Sequence, residues 1–196
     1  MSYVIGSRRH QAEALELAIT AAAALERTMR KADADALSVY GALHLAAATA
    51  AAAIYDRAMT ASLLSKARET AEATGESNRM GTAFGHVNVS IHAISAALQL
   101  GDAKTAIEIG EALDLAALPA GCTGRRTQLH LDLARAYAMR RQDAAAVNLL
   151  LAAERLSPLL VRYDGRTRDV LTTLLHREHQ PSTPELRPLA RRAGVI

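Results

Sequence analysis

Apolar residues recur along most of this chain at steps of three and four, which is the period of a helix with one buried face. The first such segment covers about residues 8–31. Its apolar positions are Ala14, Leu17, Ala18, Ala21, Leu25 and Met29. Alternation with period two and Asn-Gly turns, which are typical of strands and hairpins, are missing. The pattern therefore predicts an all-α fold.

Aspartates and glycines predict where the next helices begin and end. Asp33 or Asp35 is placed to cap a second helix that runs to about Ala53. Asp56 is expected to open a third helix, and Gly75 to end it. The second and third helices then form a first hairpin.

A second hairpin is predicted to start near Asn78 and to turn at Gly101-Asp102. Its first helix carries one apolar stripe, made of Phe84, Val87, Ile91, Ile94 and Leu98. Its second helix begins after the turn and carries Ala106 and Ile107.

The third hairpin covers Gln128 to Pro158 and has the spacing of a tetratricopeptide repeat. Tyr137 lies near the end of its first helix, and Asp143 is expected to cap the second. That second helix presents a small, a large and a small residue before the proline, namely Ala146, Leu150 and Ala153. Small residues let two helices approach closely, so the spacing predicts a tightly packed pair.

After Pro158, a helix is expected from about Asp164 to Glu178, and Ser182 with Glu185 has the spacing of a capping box for a last short helix. We predict one domain, residues 1–196, with about nine helices in a tetratricopeptide-like superhelix. Repeats would occupy residues 35–158, and capping helices residues 159–196.

Composition narrows the class of protein. Aromatic residues make up 3 % of the chain and Trp is absent, so the core must consist mainly of Ala, Leu, Ile and Val. Cys122 is the only cysteine, which excludes an internal disulfide and a cysteine zinc site and fits the cytoplasm. The apolar run Ala42–Ile54 is too short to span a bilayer and contains His44. We interpret it as a buried helix and expect no membrane contact.

Charge is uneven along the chain. From Gly121 onward there are 13 Arg and Lys against 7 Asp and Glu. Such a basic part is able to contact nucleic acid or an acidic partner. The alternative, which we favour, is that these arginines cover an alanine-rich core with their aliphatic stems.

Two segments resemble the regulatory region of actinobacterial helix-turn-helix transcriptional regulators of the Xre type. They are Thr82–Glu108 and Leu129–Pro158, and the resemblance extends over roughly residues 35–196. It implies a sensing or protein-interaction domain without enzymatic activity. The family's DNA-reading domain would lie upstream, so we expect DNA contact only through a domain absent from this chain. Leu189–Val195 is similar to the first helix and turn of such a reader, but we expect no recognition helix after it.

In such stacks, the first helix of each hairpin lines the concave groove, here the helices near residues 36–53, 80–99 and 124–140. The candidate groove residues on these helices are Asn88, His92, Ser95, Gln99, His44, Gln128 and Arg135. Amide and imidazole groups can bind a peptide backbone, and Arg135 can bind a carboxylate. The alternatives are that Asn88, His92 and His44 are satisfied inside the core, and that Arg135 forms a surface pair with Asp132.

No pattern indicates catalysis or a metal. His176 and His179 lie near a helix end without a further ligand, and Cys122 lacks the setting of a reactive thiol. We therefore expect no enzyme, no cofactor and no metal. The expected partners are a protein or peptide, or a small-molecule effector, and homodimer formation is a further expectation. The alternative function is a stand-alone adaptor of the tetratricopeptide type with no small ligand.

Overall fold

The computed structural model describes the backbone of residues 2–29, 33–118 and 121–196, and the side chains in these ranges from residue 9 onward. Over this part of the chain there are ten α-helices, two short 3-10 helices and no strand, so the predicted all-α class is confirmed. The α-helices are α1 (Ser2–Thr28), α2 (Ala34–Ala53), α3 (Arg57–Thr74), α4 (His86–Gln99), α5 (Ala103–Glu111), α6 (Thr123–Met139), α7 (Asp143–Leu156), α8 (Pro158–Tyr163), α9 (Gly165–His176) and α10 (Leu186–Arg192).

The helices fall into two compact units. The first unit is Met1–Gly101 with Leu113–Ala120, and the second is Asp102–Ala112 with Gly121–Ile196. The boundary at Gly101 lies inside the second predicted hairpin, so α4 and α5 belong to different units. The single domain expected from the sequence stays a prediction.

Local capping signals near α2 and α3 are confirmed. The Asp33 carboxylate accepts hydrogen bonds from the backbone N–H of Asp35 and of Ala36, at 3.1 and 3.0 Å. Asp56 caps α3 by accepting from the N–H of Met59 at 2.9 Å. Gly75 ends α3 with a φ of +67°, a conformation that costs glycine little.

The inner face of α1 agrees in part with the predicted one, since Ala21, Leu25 and Met29 are half-buried. Ala18 and Ala22 are buried, whereas Leu17 is 71 % exposed. α2 is the neighbour against which α1 packs, and one neighbour covers only a narrow stripe of a helix. The alanine-rich sequence of α1 offers apolar residues on several faces, so periodicity alone selected the wrong edge of the stripe.

α2 is the central helix of the first unit and packs against α1, α3 and α4. On length and composition alone it could cross a membrane, and it is the one helix of that kind in the ranges described. Half of its most apolar window is buried in the protein, and core helices often meet the same criterion. This is weak evidence for a membrane span.

The start of α4 was predicted too early. A 3-10 helix occupies Arg79–Gly81, and α4 begins at His86. Phe84 therefore precedes α4 instead of belonging to its apolar stripe, although it is fully buried. The Glu76 carboxylate accepts a hydrogen bond from the N–H of Val87 at 2.8 Å and so caps α4 from outside the helix.

The second unit has its core between α6, α7, α9 and α10. Ala146, Leu150 and Ala153 on α7 are fully buried, as the small–large–small spacing predicts. Pro158, however, begins α8 instead of closing the hairpin. Proline is well suited to a first helical turn because its fixed φ is helical and it needs no hydrogen-bond partner there. The sequence prediction missed this helix.

Two predicted caps are wrong. Asp143 lies inside the first turn of α7, and its carboxylate binds the Arg177 guanidinium at 2.7 and 2.9 Å. Ser182 donates to the carbonyl of His179 at 2.9 Å, and α10 starts only at Leu186, so there is no capping box. In both cases the side chain that the local pattern predicts as a cap makes a different hydrogen bond: Asp143 with a distant residue, and Ser182 within a turn.

Candidate functional site

A cleft of about 270 Å³ lies among the first three helices. α2 forms its floor, and α1 and α3 form its two walls. Ala18, Ala47 and Leu63 belong to one buried cluster, which places the three helices side by side at that level. Because alanines line α1 and α2 here, the side chains leave space that larger residues would fill.

His44 and Tyr40 form the polar part of the floor. They lie one turn apart on α2, with ring centroids 4.4 Å apart and ring planes tilted by 58°. The Nδ1–H of His44 donates to the carbonyl oxygen of Tyr40 at 2.9 Å. His44 is 5 % exposed and borders the cleft. Since Nδ1 is engaged with its own helix, Nε2 is the ring nitrogen that remains for a ligand.

Charged groups stand on both walls beside these rings. Glu26 on α1 and Lys66 on α3 line the cleft, together with the hydroxyl-bearing Ser62. Burial raises the pKa of the Tyr40 hydroxyl, and the Glu26 carboxylate, which accepts its hydrogen bond, raises it further; Glu69 adds to the effect. The hydroxyl therefore stays protonated and acts as a donor.

The other part of the cleft is apolar. Ala18, Ala22 and Ala47 line it with Leu63 and Met59, and Met59 is 38 % exposed. A methionine side chain is flexible and adapts to the shape of a ligand. The cleft thus combines an apolar part with a short row of hydrogen-bonding groups, as small-molecule sites commonly do.

Of the candidate groove residues, His44 is the one that borders this cleft. Asn88 is 1 % exposed, and its amide N–H donates to the carbonyl of Thr82 at 3.4 Å. The buried Asn88 Oδ1 has no hydrogen-bond partner among the described residues. His92 is half-buried, and its Nδ1 lies 3.1 Å from the hydroxyl of Thr49, which connects α4 to α2. Ser95 and Gln99 are half-buried on α4.

The remaining candidates lie in the second unit. Gln128 and Arg135 border a hollow together with Asp164 and Arg166. Its volume is about 10 Å³, less than the roughly 30 Å³ that one water molecule occupies in the liquid, so it offers no space for a ligand. Asp132 is 3 % exposed, so the expected surface pair between Asp132 and Arg135 is wrong in placing Asp132 at the surface.

The sequence analysis missed Glu26, Ser62 and Lys66 as cleft residues. Each is an exposed polar or charged residue on an amphipathic helix, which is the ordinary pattern of a solvated face. The one available signal was the spacing of Tyr40 and His44, which places both on one face of α2. In the described ranges, no group of three His, Cys, Asp or Glu side chains is arranged to hold a metal ion.

Comparisons with protein-family models, with curated proteins and with solved structures gave no match to this chain. The structure defines the class: an all-α protein, over the residues it describes, with a cleft among its first three helices. The resemblance to helix-turn-helix regulators stays an expectation drawn from the residues.

Proposed function

We propose that this chain is the sensing and interaction domain of a bacterial transcriptional regulator, built from helical hairpins of the tetratricopeptide kind. In this proposal the cleft between α1, α2 and α3 binds the effector, and the domain carries out no reaction. The observation that carries the proposal is the cleft itself, since three helices form it and its lining combines apolar and hydrogen-bonding side chains. It contains His44, one of the residues selected from sequence.

Two helix pairs support the hairpin part of the proposal. α6 packs on α7 and α2 packs on α3. In the first pair, Ala134 faces the fully buried Ala146, Leu150 and Ala153 in one core cluster. In the second, Leu45 and Ala67 share a cluster. Both pairs therefore use small residues where the helices approach, as tetratricopeptide hairpins do.

A ligand in the cleft would act by shifting a population of conformations. It touches α1 and α3 at once, so it favours the spacing of those two helices that fits it best. A DNA-reading domain joined to α1 would then be positioned differently with and without the ligand. The shift can be no larger than the difference in the ligand's affinity for the two spacings.

A matched pair of variants tests the cleft. Ala23 is exposed and borders the cleft, whereas Ala24 is exposed and does not. Ala23→Leu places a larger side chain at the cleft without overpacking the core, and Ala24→Leu makes the same change outside it. A library of small metabolites and short peptides is screened by thermal shift against all three proteins.

We expect at least one compound to raise the melting temperature of the wild type and of Ala24→Leu, but not of Ala23→Leu. If no compound stabilises the wild type, or if every stabilising compound acts equally on Ala23→Leu, the cleft is not the effector site. The regulator part is tested separately by the reading frame next to this gene. A helix-turn-helix domain encoded in frame or adjacent supports it, and its absence there contradicts it.

An adaptor function is the second candidate, and exposed apolar residues around α8 favour it. The exposed fractions are 65 % for Leu159, 44 % for Leu160, 76 % for Tyr163 and 38 % for Leu156 on the end of α7. Exposed apolar patches often mark protein contacts. If Leu159→Asp abolishes binding to a partner protein while Ala23→Leu does not affect it, the adaptor interpretation prevails over the sensor.

A further inference from the structure

We infer that the ligand of the α1–α2–α3 cleft is an apolar amine, with its ammonium group at Tyr40, His44 and Glu26 and its hydrocarbon part along Ala47 and Leu63. This inference rests on the proposed function, because it names the chemistry of the ligand for the same cleft. It goes beyond that proposal by fixing both the charge of the ligand and its orientation.

The cleft has a polar end and an apolar end. Ala47 lies in the buried cluster with Ala18 and Leu63, which marks the apolar end. Tyr40 lies seven positions earlier on α2. At a rise of 1.5 Å per residue this is about 10 Å along the helix axis. A ligand that reaches both ends must therefore be elongated, with its polar group at one end.

The polar end offers two hydrogen-bond acceptors, beside the donors of Ser62 and Lys66. The carbonyl of Tyr40 can only accept, so the Nδ1 of His44 must carry the proton in their 2.9 Å hydrogen bond. In a neutral imidazole, Nε2 is then an acceptor. The Glu26 carboxylate is a second acceptor. A ligand group with several N–H donors satisfies both acceptors, whereas a carboxylate in the ligand satisfies neither and has Lys66 as its one cationic partner in the cleft.

The charge at the polar end favours a cation. The carboxylates of Glu26 and Glu69 both act on the Tyr40 hydroxyl, and Lys66 is the one cation among the residues that line the cleft. The Tyr40 ring adds a negative π face, which attracts ammonium groups. These contributions act in the same direction, and Lys66 alone opposes them.

The volume limits the size of the ligand. The cleft measures about 270 Å³. Since a water molecule occupies roughly 30 Å³ of liquid, this is space for about nine waters, or for an amine with a hydrocarbon chain of similar atom count. Octylamine matches both the volume and the length between the two ends.

The head group is tested with octylamine, octanol and octanoate, which share one hydrocarbon chain length. Binding to the intact chain is measured by titration calorimetry near neutral pH. Charge-assisted hydrogen bonds are about twice as strong as neutral ones, so we expect octylamine to bind roughly fivefold more tightly than octanol. Octanoate should bind most weakly. Equal binding of octylamine and octanol, or tighter binding of octanoate, overturns the inference.

Two variants locate the ammonium group. Glu26→Gln keeps an acceptor and removes the charge at the cleft, and Glu16→Gln makes the same change at an exposed position of α1 away from it. We expect octylamine to bind a fewfold more weakly to Glu26→Gln, in the range of exposed ion pairs, and equally to Glu16→Gln. Unchanged affinity for octylamine in Glu26→Gln overturns the placement.

Failure of this inference is distinct from failure of the proposed function. If none of the three probes binds, but a library compound stabilises the wild type and not Ala23→Leu, the cleft is a binding site for another chemistry and the apolar amine is wrong. If octylamine binds Ala23→Leu as tightly as the wild type, its site lies elsewhere and the inference fails. If no library compound stabilises the wild type and none of the three probes binds it, both proposals are contradicted.

Discussion

The ring of Phe84 lies directly over the backbone of Gly41. A Cβ atom on Gly41 would stand 2.0 Å from Cζ of Phe84, which is far inside van der Waals contact. Phe84 is fully buried, and its ring packs between α2 and α3. The single phenylalanine of the chain is thus accommodated by the one position on α2 that has no side chain.

We expect Gly41→Ala to destabilise the first unit by about 1–3 kcal/mol, the usual cost of overpacking a core. Gly110 is the matched control, because a Cβ there would meet the flexible side chain of Leu133, most closely its terminal methyl groups at 2.5 and 2.9 Å. Since alanine is better than glycine in a helix by roughly 0.5–1 kcal/mol, Gly110→Ala should be close to neutral. Urea denaturation followed by circular dichroism measures both, and a Gly41→Ala variant as stable as Gly110→Ala would show that the ring can move aside.

The Arg177–Asp143 pair fastens the end of α9 to the turn between α6 and α7. Arg177 binds both Asp143 oxygens and the carbonyl of Ala138, and the two side chains are only about a quarter exposed. Arg177→Met should therefore lower the free energy of unfolding by about 1–3 kcal/mol, because a partly buried carboxylate loses its partner. Lys104→Met removes an exposed pair with Glu108 and is expected to change little. Equal effects in the two variants would contradict this role for Arg177.

Asp164 caps α9 and Ser182 does not cap α10, so two alanine variants should differ. Asp164 accepts from the N–H and from the hydroxyl of Thr167, each at 2.7 Å. Asp164→Ala should cost about 1–2 kcal/mol, as at other helix N-termini. Ser182→Ala should be near neutral, since Ser182 is exposed and serves only a turn. Thermal unfolding followed by circular dichroism at the helical signal separates these outcomes. A larger loss of stability in Ser182→Ala than in Asp164→Ala would indicate that Ser182 does cap α10.

His130 should make stability depend on pH below neutrality. Burial lowers its pKa below the ordinary value of 6.5, and nearby Arg155 lowers it further. The unfolded chain therefore binds a proton at a higher pH than the folded chain does. The contribution of His130 to the free energy of unfolding is fully present above about pH 6.5. It is lost as the pH falls towards the pKa of His130 in the folded chain.

The slope of unfolding free energy against pH should become shallower between neutral and mildly acidic pH in His130→Gln. His10→Gln, at an exposed position, is the control and should keep the slope of the wild type. Urea titrations at a series of pH values measure this. A slope that is the same in all three proteins would mean that His130 is not responsible.

The sequence by itself determined the all-α class and much of the local structure. Asp33, Asp56 and Gly75 act within one turn of their own positions, so a local pattern was enough to place them. The spacing of Ala146, Leu150 and Ala153 correctly predicted a buried face, because helical periodicity is a property of one element.

Only the tertiary structure decided which groups come together from different helices. The sequence predicts Asp143 as a cap, but in the structure its carboxylate accepts hydrogen bonds from Arg177, which is distant in sequence. The pattern predicts that Leu17 belongs to the core, but Leu17 lies just outside the stripe of α1 that is buried. The cleft depends on how far α1 and α3 stand apart across α2, which brings Glu26, His44 and Lys66 to one place. The periodicity of a single helix cannot predict the distance between α1 and α3, because the packing of three helices sets it.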